Sequence, residues 1–378
     1  MKCGNTDGGP DQIGTFINVN TRVVERTLIK MKRHYKVVII FGLSVLFIFL
    51  WTPLLRQKQH EMKYILQWTS SETVPFDSMG KGRQGFIDRK CQYTNCFVTD
   101  NKSLLGDFKK FDVIAFSGPD IAQYPIELPE YRSPHQKYVF ASIESPHYYP
   151  LCSVQLDNYF NWTWTFKLDS DVRWGYIIIR DVNKNIIGPK QNMNWLTVKE
   201  MKPVSKEFKE TLKTKTKAAA WFVSNCQTSS RREIIARNLQ KELLKFNHVI
   251  DIYGDCGRYS CLRKFEPLCT QEIKHTYYFY LSFENALSED YVTEKLLHAL
   301  QNDAIPIVYD IQYFKYAEYF KWKNHYSYHR TDEVSETNEY CQMCELLNDR
   351  RSIEKESVLV DFVKWWNVPQ FCDTLTIL

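Results

Sequence analysis

The sequence predicts an α/β protein with two parallel sheets, because short apolar runs alternate with helical patterns from about residue 86 onward. The runs are short enough for buried strands, and the helical patterns carry isoleucine and leucine at helical spacing. Predicted strands cover residues 112–117, 137–143, 218–224, 248–253, 277–283 and 305–309. Predicted helices cover residues 230–246 and 291–300. Alternation of this kind forms βαβ units, which place ligand chemistry at the carboxyl ends of the strands.

The strands and helices fall into two sets, separated by a charged stretch rich in threonine and lysine at residues 199–217. This stretch is typical of an interdomain linker. We therefore expect two Rossmann-like domains facing a cleft, one over residues 86–198 and one over residues 199–378, the latter with a C-terminal extension.

Residues 37–55 form a run of 19 residues without a charged side chain. At about 1.5 Å per residue, such a helix just spans a hydrocarbon core of about 30 Å. A cleaved signal peptide would start nearer the N-terminus, and a buried core helix of this apolarity is a rarer alternative next to a basic flank. An uncleaved signal anchor fits best. Lysine and arginine dominate the preceding segment, so residues 1–36 are predicted to be a cytoplasmic tail and residues 56–85 a stem on the other side.

Charge and cysteine content narrow the class of protein further. The chain has 49 basic and 44 acidic side chains, a balance that argues against a nucleic-acid partner. Ten of its eleven cysteines follow the apolar run, and this even number is typical of disulfides in an oxidising compartment. A zinc site at Cys341 and Cys344 is the alternative, but it lacks a second ligand pair. Asn101 and Asn161 begin glycosylation sequons.

The segment most suggestive of chemistry is FYLSFENALSEDYVTEKLLHALQNDAIPIVY at residues 279–309. A strand ends at Phe283-Glu284-Asn285, and a helix begins near Asp290. The N-terminus of a helix offers free N–H groups and a partial positive charge, which suit a diphosphate. Lys295 would add a full charge, and Glu294 could accept hydrogen bonds from sugar hydroxyls. An ordinary strand–turn–helix with a capped start explains the same pattern.

The pattern FENxxxxDYVTEK resembles the signature of the α1,3/4-fucosyltransferases. Four further segments are similar to segments of that family and occur in the same order. They are ESP at residues 144–146, NYFNWTWTFKLDSD at 158–171, AAWFVSNC at 219–226 followed by Arg231, and DIYGDCG at 251–257. The resemblance covers roughly residues 86–375.

The resemblance implies a glycosyltransferase-B fold and an inverting fucosyltransferase of the Golgi membrane, with type II topology. GDP-fucose would bind the C-terminal domain, and an N-acetylglucosamine-containing glycan would bind the N-terminal domain as acceptor. Glu144 would be the general base. The residues implied for donor binding are Arg231, Asn285, Tyr291, Glu294 and Lys295. No metal would be strictly required, although manganese or magnesium can stimulate such enzymes.

Three alternatives remain open from the sequence. Asp169-Ser170-Asp171 matches the DxD triplet that binds manganese in glycosyltransferases of another fold, whereas the resemblance implies a structural or acceptor-side role here. The chain could be an inactive, membrane-tethered glycan-binding protein. It could also transfer a sugar from a different nucleotide. Aromatic residues at 147–149 and 174–176 depart from the family pattern and leave the acceptor undetermined, either an N-glycan core or a Lewis-type antenna.

Overall fold

A computed structural model describes residues 29–36, 41–42, 61–77, 79–197, 199–261, 266–308, 325–331, 338–355, 358–368 and 372. The chain divides into two compact units, residues 1–60 and 61–378. In the first unit, residues 29–36 and 41–42 are helical. The predicted membrane span at 37–55 lies outside the described residues apart from 41–42. Within the described ranges, no helix is long and apolar enough to cross a membrane.

A six-stranded parallel sheet forms the centre of the N-terminal half, with strand order β2-β1-β3-β4-β5-β6. Its strands are β1 Lys63–Gln67, β2 Cys96–Thr99, β3 Val113–Ser117, β4 Lys137–Ser142, β5 Trp162–Thr165 and β6 Val172–Arg173. Every residue of β3, β4 and β5 is buried. Parallel strands covered on both faces need such continuous burial, which is why the apolar runs at β3 and β4 predicted strands.

A second, four-stranded parallel sheet has the order β10-β9-β11-β12. Its strands are β9 Lys217–Phe222, β10 Ile250–Tyr253, β11 Tyr277–Leu281 and β12 Ile305–Ile307. These strands confirm the prediction of an α/β protein with two parallel sheets, and all six predicted strands are present. A third, antiparallel sheet was not predicted, and it consists of β7 Ile178–Arg180, β8 Ile186–Gly188 and β13 Ser327–His329.

Nine α-helices lie among the residues that the structure describes from residue 61 onward. They are α1 Gln84–Asp88, α2 Gly118–Gln123, α3 Lys206–Lys213, α4 Arg232–Leu244, α5 Glu266–Thr276, α6 Glu294–Gln301, α7 Glu339–Asn348, α8 Arg350–Glu354 and α9 Phe362–Trp366. The predicted helix at 230–246 is confirmed as α4. The helix predicted at 291–300 begins three residues later, because Thr293 is still extended and serves as its N-cap.

The predicted stem at residues 56–85 includes part of the folded unit, and the predicted linker at 199–217 includes a helix. Strand β1 lies between β2 and β3, so the folded unit includes residues before the predicted boundary at 86. Ile65 and Leu66 are completely buried there. Within the predicted linker, Ser205 accepts a hydrogen bond from the Phe208 amide and caps α3. Long-range pairing and capping therefore give structure to segments that look irregular in sequence.

The end of the chain packs on the N-terminal half, which contradicts its assignment to a C-terminal domain over 199–378. Tyr340, Cys341, Met343, Cys344 and Leu347 of α7 belong to the same buried cluster as residues of β1, β2 and β5. Phe362 and Trp366 of α9 lie on the other side of that sheet, near Phe140. The N-terminal sheet thus obtains part of its cover from the last elements of the chain.

Five disulfides join all ten cysteines that follow the apolar run. The bridges are Cys91–Cys341, Cys96–Cys344, Cys152–Cys372, Cys226–Cys256 and Cys261–Cys269. The prediction of disulfides is confirmed. Cys341 and Cys344 have partners in two different bridges, so they do not form the zinc pair considered as an alternative.

We expect the neighbouring bridges Cys91–Cys341 and Cys96–Cys344 to substitute for each other. While one is intact, the other closes a loop of only about eight residues, but after both are removed the shortest remaining path, through Cys152–Cys372, is about 90 residues. Replacing both pairs by serine should therefore lower the free energy of unfolding by about 2 kcal/mol more than the two single replacements together. Urea denaturation of the full chain without reductant measures this, and additive losses would contradict it.

Candidate functional site

A cavity of 510 Å³ lies at the carboxyl ends of the strands of the second sheet. Its walls include the residues that follow β9 and the end of β10, together with Glu294 and Lys295 of α6. Tyr176 from the N-terminal half also lines it. Ligands of parallel α/β sheets bind at this edge, because the turns after the strands and the helix N-termini converge there. The cavity is therefore the candidate binding site.

Glu284 holds the N-terminus of α6 in place. Its carboxylate accepts hydrogen bonds from the Thr293 amide at 2.8 Å and from the Thr293 hydroxyl at 2.8 Å, and it lies 3.1 Å from Lys295 Nζ. Lys295 also donates to the Thr293 hydroxyl at 2.7 Å and to Glu294 at 3.2 Å. Sequence reasoning did not select Glu284, although it stands in the FEN motif at the end of a predicted strand.

The charges at this helix start compensate one another. Burial alone would lower the pKa of Lys295, but Glu284 and Glu294 outweigh it, so the pKa of Lys295 is raised and the ammonium stays charged. Burial would raise the pKa of Glu294, but Lys295 outweighs it, and the pKa of Glu294 is lowered. Lys295 thus lines the cavity as predicted, and its charge is shared between the Glu284 and Glu294 carboxylates.

Glu144 follows β4, in a loop where the Ser142 hydroxyl donates to the Glu144 carbonyl at 3.0 Å. Its carboxylate accepts a hydrogen bond from the Tyr291 hydroxyl at 3.1 Å. Burial raises the pKa of Glu144, although Tyr291 and Lys295 oppose this shift. A buried carboxylate with a raised pKa is suited to accept a proton. The structure therefore places Glu144 next to Tyr291, another predicted site residue, although the two are far apart in sequence.

The segment from Glu284 to Tyr291 is held by both halves of the unit. Tyr148 donates its hydroxyl proton to the Asn285 carbonyl at 3.0 Å, and Lys167 pairs with Glu289 at 2.8 Å. Asn285 therefore bonds the N-terminal half through its backbone, while its side-chain oxygen is buried without a hydrogen-bond partner. This arrangement fixes the turn that precedes α6.

The predicted cation at Arg231 does not line the cavity, whereas its neighbour Arg232 does. Arg231 begins α4 in a left-handed conformation, with φ of 54°, and is exposed. Arg232 is 3% exposed and donates to the Phe283 carbonyl at 2.7 Å and to the Asn225 carbonyl at 3.3 Å. The sharp turn at Arg231 directs the two neighbouring side chains apart. Position relative to the helix start, rather than the motif, decides which arginine faces the site.

The DxD triplet has hydrogen-bonding roles in the N-terminal half. Asp171 accepts bonds from the Thr163 amide at 2.9 Å and hydroxyl at 3.0 Å, and Asp169 accepts one from the Trp365 ring nitrogen at 2.8 Å. Ser170 bonds the Thr165 hydroxyl at 2.6 Å. In the part of the chain that the structure describes, no group of three or more His, Cys, Asp or Glu side chains could hold a metal ion. These contacts fit a structural role for the triplet.

The two sequons differ in their surroundings. Asn101 is exposed and lies in a turn after β2. Asn161 lies just before β5, where its side-chain oxygen accepts bonds from the Tyr138 amide at 2.9 Å and from Arg132 at 3.2 Å. Thr163 of the same sequon is 3% exposed. In the folded protein, Asn101 is therefore the more accessible position for a glycan.

A cavity with lysine and arginine side chains at the carboxyl ends of parallel strands is the arrangement of an α/β enzyme that binds an anionic nucleotide. Residues 60–177 match the model "Fucosyltransferase, N-terminal", and residues 212–315 match "Glycosyltransferase family 10 (fucosyltransferase) C-term". The chain is 31% identical over 358 residues to α-(1,3)-fucosyltransferase C of Drosophila melanogaster, covering 82% of this chain and 80% of that protein. The chain belongs to this α1,3-fucosyltransferase family and is a fucosyltransferase.

Other similarities are weaker. Glycoprotein 3-α-L-fucosyltransferase A of Drosophila melanogaster is 27% identical over 330 residues, covering 78% of this chain and 59% of that protein. A solved structure of an α1,3-fucosyltransferase with GDP-fucose gives a TM-score of 0.40 at 16% identity, covering 80% of this chain and 93% of that chain.

Replacing Glu284 by alanine should destabilise the fold, because it leaves the Thr293 amide without its acceptor and removes one of the two carboxylates beside Lys295. We expect a loss of about 3 kcal/mol in the free energy of unfolding. The matched control is Glu210→Ala, which breaks an exposed pair with Lys213 and should cost about 0.5 kcal/mol or less. Urea denaturation compares the two, and equal losses would show that Glu284 is not the organising residue.

Proposed function

We propose that this enzyme transfers L-fucose from GDP-fucose, with inversion, to the 3-hydroxyl of N-acetylglucosamine in a glycoprotein or glycolipid glycan. One observation carries the proposal: a carboxylate of the N-terminal half, Glu144, is bonded to Tyr291, which lies in the turn that leads into α6 and Lys295. An inverting displacement needs a base on the acceptor side and positive charge on the donor side. The hydrogen bond to Tyr291 supports a role for Glu144 close to the start of α6 and Lys295. The similarity to named α1,3-fucosyltransferases supports the choice of sugar and linkage.

In the proposed reaction, the oxygen of the acceptor hydroxyl bonds to C1 of fucose, and Glu144 accepts the proton of that hydroxyl. The bond between C1 and the diphosphate oxygen breaks, and GDP leaves with the electron pair. Lys295 and Arg232 would stabilise the charge that develops on the diphosphate, Arg232 by directional N–H donors. Glu294 would bind fucose hydroxyls. The diphosphate would compete with Glu284 for Lys295, which supplies a positive charge that is held in place before the donor arrives.

We extend the proposal to the whole chain and its location. The two parallel sheets would be the two Rossmann-like domains of a glycosyltransferase-B fold, with the donor on the second. Residues 37–55 would anchor the enzyme in the Golgi membrane with residues 61–378 in the lumen, since the run has no charge and follows a basic segment. Five disulfides support an oxidising compartment for that unit. No metal would be strictly required, with manganese or magnesium as possible stimulants.

The direct test gives the full chain GDP-fucose with N-acetyllactosamine or N,N′-diacetylchitobiose and measures release of GDP. The first saccharide represents an antenna and the second an N-glycan core. Fucosylation of the 3-hydroxyl of N-acetylglucosamine in either product, identified by NMR, supports the proposal. Sugar transfer only from a different nucleotide sugar, with release of that donor's own nucleoside diphosphate, would contradict it.

Glu144→Gln should lower kcat by about 10²–10⁴-fold, because the amide cannot accept the proton of the acceptor hydroxyl. Binding of GDP, measured by calorimetry, should be unchanged, since Glu144 does not contact the proposed diphosphate site. The matched control is Glu130→Gln, an exposed position in the same half. Parental turnover by Glu144→Gln would exclude Glu144 as the base.

Activity should fall in acid at a higher pH than an ordinary glutamate would give, because burial raises the pKa of Glu144 and only the ionised form acts as a base. The Tyr291 hydroxyl stabilises that ionised form. Tyr291→Phe should therefore raise the pKa of Glu144 further and move the acid limb of kcat/KM to higher pH. Tyr138→Phe, in the core away from Glu144, is the control. An unchanged or lower acid limb in Tyr291→Phe would contradict this role.

A further inference from the structure

A cavity of 550 Å³ lies against α6 on the side away from the candidate binding site. Leu296 and Leu300 of α6 line this cavity, and residues four apart share one face of a helix. Glu294 and Lys295 of the same helix line the candidate binding site instead. The volume is within the range of about 300–1,000 Å³ that is typical of small-molecule sites. Because hydrocarbon side chains dominate its lining, we call it the apolar cavity.

The apolar lining continues from the core to the surface. Ile179 and Tyr328, on neighbouring strands of the third sheet, are buried. Trp195 and Val292 line the same cavity and are 39% and 48% exposed. Large apolar side chains that stay in contact with water beside a cavity are typical of a ligand-binding groove. An apolar molecule can therefore enter the cavity from solvent.

Arg173 is the unusual residue of this lining, because its guanidinium lacks an acceptor. Its Nη1 donates to the Pro189 carbonyl at 3.2 Å, but its Nε is buried and has no hydrogen-bond partner in the part of the chain that the structure describes. Among those residues it also forms no ion pair. Burial lowers the pKa of Arg173, and the Asp290 carboxylate offsets this shift only in part. A buried cation without a counterion destabilises a fold unless a ligand supplies one.

Asp290 lines the same cavity but already has a hydrogen-bond donor. Its carboxylate accepts a bond from the Leu168 amide at 2.9 Å, which holds the turn before α6 against the N-terminal half. Arg173 and Asp290 are the only charged residues of the described lining. The apolar cavity thus contains one cation that needs an acceptor and one carboxylate that is already bonded.

The ligand that complements these groups has a long apolar part and one planar anionic group. The Nε and Nη2 atoms on one edge of a guanidinium match the two oxygens of a carboxylate. Arg173 and Pro189 also line a smaller cavity of 250 Å³, which is below the usual range for a small-molecule site. A short anion such as acetate would leave the apolar cavity unfilled. Recognition therefore needs a hydrocarbon chain as well as a carboxylate.

We propose that the apolar cavity is a further binding site, which takes a single-chain amphiphile with a carboxylate head group. The head group pairs with Arg173, and the hydrocarbon chain packs between Leu300 of α6 and the third sheet. The chain stabilises α6 on the face opposite the one that carries Lys295. Binding at this site does not depend on the proposed function, since the amphiphile and a nucleotide occupy opposite sides of α6.

The test is photolabelling of the full chain with a decanoate analogue that carries a diazirine at the end of its hydrocarbon chain. We expect saturable labelling, located by mass spectrometry in peptides that contain Met193, Trp195 or Leu296. Excess decanoate should prevent the labelling. Acetate and decanol should each need a concentration at least about tenfold higher, because each supplies only one of the two contacts. Saturating GDP should leave the labelling unchanged.

Two variants of the charged lining should shift the half-saturating concentration in opposite directions. Arg173→Gln should raise it by about tenfold or more, because a charge-assisted hydrogen bond is lost. Asp290→Asn should lower it, because a like charge is removed while the amide oxygen still accepts from the Leu168 amide. Arg180→Gln is the matched control, since that guanidinium belongs to the third sheet, bonds the Lys184 carbonyl and does not line the cavity.

Met193→Trp should also weaken labelling, because the larger ring fills part of the cavity. Affinity for GDP, measured by calorimetry, reports whether each variant is folded. The inference is overturned if folded Arg173→Gln keeps the parental half-saturation, if GDP displaces the label, or if decanol competes as well as decanoate. Should Arg173→Gln not fold, unchanged labelling of both Asp290→Asn and Met193→Trp would overturn it equally. The proposed function stands in each case, because it requires no ligand in the apolar cavity.

Discussion

The carboxylate of Glu284 is the constraint on which the rest of the site depends. A carboxylate with little solvent contact must be compensated by donors or by an opposite charge. Glu284 has both, from the Thr293 amide and hydroxyl and from Lys295. Because the Ser230 hydroxyl also binds the Glu284 carbonyl at 2.7 Å, the same residue aligns the loop before α4 with the start of α6. The cation that would meet a diphosphate is therefore positioned before the ligand arrives.

This organisation extends to the N-terminal half through the turn that separates Glu284 from α6. Tyr291 contacts the Phe166 ring at 4.9 Å and bonds Glu144, and Asp290 accepts a bond from the Leu168 amide at 2.9 Å. Disulfides then fix the end of the chain to the first sheet. The hydrogen-bonded turn thus joins the two sheets, while three bridges tie the end of the chain to the N-terminal half. Glu144 and Lys295 come from different halves, and the contacts of this turn hold them in a constant relation.

The sequence predicted the strands that are continuous apolar runs, since those runs are buried on both faces of parallel sheets. It did not predict β1, a five-residue strand whose neighbours β2 and β3 come later in the chain. The three-residue strands of the third sheet were also missed, because β13 pairs with β7 although about 150 residues of the chain separate them. Disulfide pairing is a property of the fold, and no spacing of cysteines specifies it.

The candidate site, like the fold, could be predicted from the sequence only in part. The sequence motifs identified four site residues, namely Glu144, Tyr291, Glu294 and Lys295. The structure brings all four to the boundary between the two halves. The motifs did not show that Lys295 is already paired with carboxylates, or that Arg232 rather than Arg231 faces the cavity. Those properties depend on the conformation of single residues, such as the left-handed backbone of Arg231. Sequence similarity reports which residue types are present, whereas their charge balance follows from packing.

In the proposed reaction, Glu144 and Lys295 act together in one transition state. A double-mutant cycle on kcat/KM with Glu144→Gln, Lys295→Ala and the double variant tests it most directly. If the two residues work as a unit, the double variant should be about as slow as the slower single variant. Losses that multiply would show that the base and the cation contribute independently, and would contradict the account.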